Sequence, residues 1–293
     1  MKRDRLKPYV YKVEGPVNIA FYDMLNGEFS QISPDVSVQE LRKYLLEEGL
    51  IFETEGVIPT KNIKLKMFEI QNNLQIRELQ IRLNGRGEDN CWNREKKEEK
   101  KKYMKDETLK CLQEKCRYIP IQKIRIEAEE SDLVKIEKIL KEFVFEEIEL
   151  YIENGLDKAC IDKYKELCGK RRFIFQKDGR KKIKELKVEI YNFFYSKFYN
   201  PCLGHQVAID INGDIKCCLW INEVLGNIAK EDLQTLIIKG DFDKFWETSK
   251  IEIEVCKDCE LRFACNDCRV IALKESGRLD SKPSYCNYDP YTG

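Results

Sequence analysis

Cys256, Cys259, Cys265 and Cys268 fall within one short stretch, CKDCELRFACNDCR, residues 256–269. A thiolate is a soft anionic ligand, so cysteines at this spacing point to zinc or to an iron–sulfur cluster. The chain has 293 residues and 13 cysteines. Cys91, Cys111, Cys116, Cys160 and Cys168 are scattered. Cys202, Cys217, Cys218, Cys256, Cys259, Cys265, Cys268 and Cys286 crowd the C-terminal third, enough thiols for two four-cysteine metal sites. The basic start, MKRDRLKPYVYKVEG, lacks an apolar core, so no signal peptide is expected. The expected compartment is the cytoplasm, where thiols stay reduced and disulfides are not expected.

Spacing bears on the choice of metal. Two Cys-x2-Cys zinc knuckles usually stand about a dozen or more residues apart, whereas five residues separate Cys259 from Cys265. One zinc on all four thiolates would also leave Cys202, Cys218 and Cys286 without a role. Iron–sulfur ligation suits short spacings, and the last cysteine of such a run commonly reaches a second cluster. Two iron–sulfur clusters are therefore favoured, with zinc kept as the alternative. VAIDINGDIKCC (207–218) reads as a hairpin turning at Asn212-Gly213, which carries Cys217 and Cys218 back toward Cys202. Adjacent strand residues face opposite ways, so only one of the two faces a metal, and the register from Gly213 favours Cys218. His205, the only histidine, is expected to be a structural or surface residue, with metal ligation as the alternative. Asp267 and Arg269 flank Cys268 and are expected to form salt bridges, with tuning of a cluster as the alternative.

The elements that must position these residues read as α/β. VNIAFYDMLNGEFSQIS (17–33) is two strands joined at Asn26-Gly27. A helix follows, capped by Ser37, with Val38, Leu41, Leu45 and Leu46 at helical spacing and Gly49 at its end. LIFETEGVI (50–58) returns as a strand. The middle alternates strands (74–85, 121–128, 146–152, 171–176) with helices (93–117, 131–144 capped by Ser131, 156–169 ended by Gly169), the signature of parallel βαβ units. A closed eight-unit barrel needs roughly 250 residues, so an open or truncated barrel is expected. Three segments result: 1–66, an α+β module that resembles winged-helix peptide-recognition modules, with a small structural cap as the alternative; 67–200, the β/α half barrel; and 201–293, the cysteine-rich domain. Cys160 and Cys168 are expected to be buried free thiols of the last helix.

Composition excludes several functions. Lys plus Arg and Asp plus Glu number 52 each, so no global positive field points to nucleic acid. The lysine- and glutamate-rich run 93–107 reads as a solvated helix face. No apolar run approaches the roughly 20 residues of a membrane span. No nucleophile triad, phosphate loop or general-base pair is present, so no catalytic residue is nominated.

The cysteine field resembles the SPASM domain, the C-terminal extension of radical SAM enzymes that modify peptides. The resemblance rests on Cys202, on Gly213-x4-Cys218, on Cys256-x2-Cys259-x5-Cys265-x2-Cys268 and on Cys286, with CLWINEVLGNI and YCNYDP in support. The family pattern has three residues, not two, before the fourth cysteine of the run. The variant is particularly similar to the SPASM maturases of grasp-with-spasm systems, encoded beside an ATP-grasp ligase and a precursor peptide. The resemblance implies two [4Fe–4S] clusters, one on Cys256, Cys259, Cys265 and Cys286. The other would use Cys202, Cys218 and Cys268, with Cys217 or an open iron as its fourth position. The Cys-x3-Cys-x2-Cys motif that binds S-adenosylmethionine is missing; only Cys91 follows the first barrel strand, and no S-adenosylmethionine is expected. The resemblance thus implies a degenerate radical SAM scaffold that takes part in maturing a ribosomally made peptide, as maturase or accessory subunit. Its partners would be the precursor peptide and an ATP-grasp ligase or an active radical SAM enzyme. A non-catalytic iron–sulfur scaffold and a zinc-stabilised binding module are the alternatives.

Overall fold

The structure is a computed structural model that describes residues 3–7, 9–33, 35–54, 76–85, 102–152, 156–176, 185–186 and 188–293. In chain order its elements are β1 (Arg3–Leu6), β2 (Val10–Glu14), β3 (Ile19–Asp23), β4 (Glu28–Ile32), α1 (Val38–Glu47), β5 (Ile51–Thr54), β6 (Ile76–Arg82) and β7 (Asn84–Gly85). Next come β8 (Lys102–Tyr103), α2 (Asp106–Cys116), β9 (Ile121–Ala128), α3 (Leu133–Glu142), β10 (Phe145–Ile152), α4 (Lys158–Cys168) and β11 (Arg172–Gln176). The last are β12 (Glu185–Leu186), α5 (Ile190–Tyr195), β13 (Gln206–Ile209), β14 (Asp214–Lys216), β15 (Gly226–Asn227), α6 (Leu233–Ile238), α7 (Asp243–Trp246), β16 (Cys265–Asn266) and α8 (Arg269–Ser276). Two compact units emerge from non-contiguous stretches. A terminal unit combines Met1–Phe68, Ile183–Cys202 and Glu247–Gly293; a central unit combines Glu69–Lys182 and Leu203–Trp246.

In the terminal unit β2, β3 and β4 form an antiparallel meander. The β3–β4 hairpin turns at Asn26-Gly27 as expected, with Gly27 at φ 72°. The Asp23 carboxylate closes it, accepting from Leu25 N at 2.9 Å, Asn26 N at 3.1 Å and Asn26 Nδ2 at 2.8 Å. Ser37 caps α1 in a reciprocal box with Glu40, and Gly49 follows the helix at φ 66°. Strand alternation gives the meander two apolar faces. Val10 and Phe21 pack with Leu45 of α1, Leu50 and Ile51. Val13, Ala20 and Tyr22 pack with Val188, Phe193, Phe263 and Ala264. Phe263 and Ala264 belong to the cysteine-rich stretch, so that stretch and the meander share one core.

The central unit is built on a seven-stranded sheet ordered β11-β10-β9-β6-β13-β14-β15. Strands β11, β10, β9, β6 and β13 run parallel, and β14 and β15 are antiparallel. Helices α2, α3 and α4 occur where parallel crossovers require them. One face of the sheet is apolar: Leu79, Ile81, Ile124, Ile126, Ile148 and Leu150 are all fully buried. Several alternate residues, Glu78, Gln80, Arg125, Glu127 and Glu149, are buried polar groups. Among them Arg125 Nη2 donates to both Glu149 oxygens at 3.0 and 2.8 Å, and Arg82 pairs with Glu127 at 3.0 Å. Such groups tolerate burial only when paired.

Two local expectations are corrected. The helix expected over 93–117 begins at Asp106 where it is described; β8 precedes it, paired with β7, and 93–101 lie outside the described residues. The apolar stripe that buries α2, Leu109, Leu112 and Cys116, starts only after the β8 pairing ends. The cap of α3 is Asp132, not Ser131. The Asp132 carboxylate accepts from Glu129 N at 3.2 Å and Asn84 Nδ2 at 3.0 Å, while Ser131 sits inside a preceding 3₁₀ turn. Cys168 is buried on α4, as expected, and Cys160 is half-buried, its backbone N–H bonded to Asp157 at 2.7 Å. Among the described residues no helix is long and apolar enough to cross a membrane.

Candidate metal centre

The cysteine-rich stretch of the terminal unit is a train of tight turns. Val255 stands at φ 65°, ψ −46°, and Cys256 N donates to Glu254 O at 2.7 Å, a γ-turn with positive φ. Positive φ is strained for a β-branched residue, and such strain gathers at functional sites. A 3₁₀ turn, Cys256–Asp258, follows. Further turns close from Cys259 N to Cys256 O at 3.1 Å, Arg262 N to Cys259 O at 3.2 Å and Cys265 N to Leu261 O at 3.1 Å. Each turn reverses the chain within a few residues and returns the next cysteine toward the last. Cys265 then enters β16, paired with Leu186 of β12. Cys268 caps α8, and its N–H donates to Tyr285 Oη at 2.9 Å. Arg269 Nη1 donates to Leu279 O and Ser281 O, both at 2.8 Å, drawing the segment before Cys286 back toward α8.

These turns contain Cys256, Cys259 and Cys265, three of the four thiols assigned by resemblance to one cluster. Cys256 lies within electrostatic reach of Cys265 and Cys286, and Cys259 within reach of Cys265 and Cys256. Burial pushes the Cys259 thiol up to about 12, against a backbone N–H donated by Leu261, and burial likewise raises Cys256. Lys250 and Arg269 oppose the rise at Cys256. Both cations are buried, at 1% and 0% exposure, and both pair with Asp267, itself buried. Lys250 Nζ also donates to Cys265 Sγ at 3.9 Å. One carboxylate is thus shared by two basic side chains, each with its pKa lowered by burial, which leaves a surplus of basic groups. A cluster held by thiolates is anionic and fits that surplus, and hydrogen bonds to its sulfurs are a known means of setting its potential. Among the described residues no three of His, Cys, Asp or Glu converge on a point that would hold a single ion.

The same stretch is tied to the N-terminal meander. Tyr22 Oη of β3 donates to Glu260 O at 2.5 Å, and Gln31 Nε2 of β4 donates to Glu260 Oε1 at 2.5 Å and Tyr288 Oη at 2.8 Å. Tyr288 Oη donates to the same carboxylate oxygen. Arg262 Nη1 bridges Glu14 O at 3.1 Å and Cys259 O at 2.7 Å. Gly15 allows this approach: a Cβ there would stand 2.5 Å from Glu260 Oε2 and 3.2 Å from Asp258 O. Cys202 is set in the same unit, its N–H bonded to Asn200 Oδ1 at 2.9 Å while Asn200 Nδ2 donates to Thr248 O at 2.8 Å. Cys202 and Cys268 lie near the guanidinium of Arg269 and the phenol of Tyr285 respectively.

Cys217 and Cys218 belong to the central unit. The hairpin forms as read, with Ala208 opposite Lys216, Ile209 opposite Ile215, and Gly213 at φ 81°. Cys217 Sγ lies 3.7 Å from Leu203 O and 3.8 Å from Gln206 O. A buried amide relay holds the backbone beside it. Gln206 Nε2 donates to Cys217 O at 2.8 Å, Gln80 Nε2 to Gln206 Oε1 at 3.0 Å, and Leu219 N to Gln80 Oε1 at 3.3 Å. His205 has φ 50° and stacks on Trp246 at 4.9 Å, and Trp246 stacks on Phe242 at 4.8 Å. Burial holds its imidazole down to about 4, consistent with the structural role expected.

Asp267 and Arg269 form the expected salt bridge. The reading of the sequence missed Lys250, Glu260 and Tyr285. Glu260 and Tyr285 neighbour cysteines, which is a signal of sorts; Lys250, in an unremarkable ETSKIE, carries none.

Comparison with known proteins agrees with part of this picture. Residues 202–260 match the SPASM family, described as an iron–sulfur cluster-binding domain. The matched stretch contains Cys202, Cys217, Cys218, Cys256 and Cys259 and ends before Cys265, Cys268 and Cys286. No curated protein matches the chain. A solved structure of BtrN, described as selenomethionine protein in an open conformation, aligns with a TM-score of 0.37 at 12% identity, over 63% of this chain and 92% of that one. A likeness of that extent carries no weight for fold or function.

Proposed function

We propose that this chain is an iron–sulfur protein of peptide maturation, with one [4Fe–4S] cluster on Cys256, Cys259, Cys265 and Cys286 and a second on Cys202, Cys218 and Cys268. The observation that carries the reading is Cys265, whose sulfur accepts from the buried Lys250 at 3.9 Å and which closes the run of tight turns holding Cys256 and Cys259. The SPASM match at 202–260 supports it. Cys217 or an open iron would supply the fourth position of the second cluster. When bound, such clusters supply one-electron transfer and, where a fourth cysteine is lacking, an open coordination position. The chain's own residues shape the surroundings: Lys250 and Arg269 neutralise charge, and the turns from Val255 to Cys265 set the spacing.

The peptide would be received at the N-terminal meander. Among the described residues β4 pairs only with β3, so its outer edge can accept an added strand, a common mode of peptide recognition. Gln31 on that strand touches Glu260, beside Cys259. Bond making falls to a partner, an ATP-grasp ligase or an active radical SAM enzyme, since the sequence lacks Cys-x3-Cys-x2-Cys.

The test is anaerobic isolation followed by assay of iron, sulfide and zinc. Two cubanes contribute about eight irons and eight sulfides per chain, and Cys256→Ala halves both. A colourless protein containing zinc refutes the cluster assignment. Binding of precursor peptides encoded nearby, read by fluorescence anisotropy, checks the second half; no binding with or without the partner enzyme refutes it.

A further inference from the structure

Lys250 is the least expected group in the terminal unit. A lysine with a side chain 1% exposed needs compensating partners, because burial otherwise drives it neutral. Its partners are the Asp267 carboxylate and Cys265 Sγ, the latter at 3.9 Å. Arg269 pairs with Asp267 from another direction, while its Nη1 is committed to Leu279 O and Ser281 O. The three side chains therefore divide the work. Arg269 braces the loop before Cys286, Lys250 addresses the sulfur, and Asp267 offsets part of the positive charge.

We propose that Lys250 and Asp267 are opposed positioning residues that set the reduction potential of the cluster on Cys256, Cys259, Cys265 and Cys286, the first raising it and the second lowering it. This rests on the cluster assignment above. Reduction adds one electron to an already anionic group. A buried ammonium donating to a cluster sulfur favours the reduced form, and a nearby carboxylate opposes it. Low surrounding polarity magnifies both effects. A role in packing alone moves stability or iron content, but it does not move the potential in opposite directions for the two residues.

The experiment is a potentiometric titration of the full-length, anaerobically isolated protein, followed by electron paramagnetic resonance. Dithionite supplies the one electron, and no bond forms or breaks. Lys250→Met is expected to cut the reduced-to-oxidised ratio of one cluster about tenfold at fixed potential, a midpoint about 59 mV lower for one electron. Asp267→Asn is expected to raise that ratio, and Lys250→Arg to restore most of the loss. Fully loaded Met and Asn variants that each shift the ratio less than twofold, or shift it the same way, overturn the proposal. Should the Met variant lose its iron, unsubstituted protein labelled with ¹⁵N-lysine decides: pulsed resonance of the reduced cluster shows a lysine nitrogen coupling, and its absence overturns the proposal. Wild-type protein without iron and sulfide overturns the cluster assignment and this inference together. Loaded protein with unmoved potentials overturns this inference alone.

Discussion

Gly213→Ala isolates what the β13–β14 hairpin contributes. Gly213 has φ 81°, and a Cβ there would meet Thr108 Cγ2 at 2.8 Å and Ile228 Cγ2 at 3.1 Å. Two separable penalties follow. Left-handed backbone costs an L-residue roughly 1–2 kcal/mol, and forcing a methyl into filled space costs roughly 1–3 kcal/mol. The variant is thus expected to lose about 2–5 kcal/mol. Thr108→Ser deletes the nearer methyl while keeping the hydroxyl, so the double variant should recover about 1–2 kcal/mol of the steric part and none of the backbone part. The assay is denaturant unfolding followed by tryptophan fluorescence, since Trp220 and Trp246 both belong to this unit. A Gly213→Ala loss below about 0.5 kcal/mol, or no rescue by Thr108→Ser, refutes the reasoning. Because Cys217 and Cys218 follow β14 directly, the same variant should lower iron content if Cys218 is a ligand.

His205 should make stability depend on pH. Its folded pKa is depressed to about 4 from 6.5, so the unfolded chain binds the proton first as pH falls. The stabilisation is complete above about pH 6.5 and is lost toward pH 4, on the order of 3 kcal/mol in all. His205→Asn, which tolerates the positive φ, should show a correspondingly flatter profile; parallel profiles in denaturant titrations at pH 7 and 4.5 would count against this. On the polar face of the parallel sheet, Arg125→Met removes one of the two cations paired with the buried Glu149 carboxylate, leaving Lys123, and should cost about 2–3 kcal/mol, whereas Arg125→Met with Glu149→Leu should recover part of it. Equal losses in the single and double variants, measured by the same unfolding assay, would mean the pair is not the unit of stability.

Much of this protein is legible in its sequence because the signals are local. A glycine with positive φ, a serine at a helix start and a run of alternating apolar residues act through their nearest neighbours in the chain. Hence the turns at Gly27 and Gly213, the cap at Ser37 and the parallel strands β6, β9 and β10 stand where the pattern put them. Cysteine spacing is local too, and it marks Cys256, Cys259, Cys265 and Cys268 as a candidate metal-binding run. Other features depend on residues distant in sequence. The start of α2 depends on β8 pairing with β7, and the cap of α3 on Asn84, 48 residues away. Burial of Lys250 beside Cys265, the hold of Gln31 on Glu260 and the place of the Cys217 sulfur near two carbonyls are likewise decided by packing. A charge is stable inside a protein only when folding supplies its counter-charge. Residue order carries no direct record of that pairing, so cysteine spacing suggests a metal, while only the tertiary structure reveals the charges placed around it.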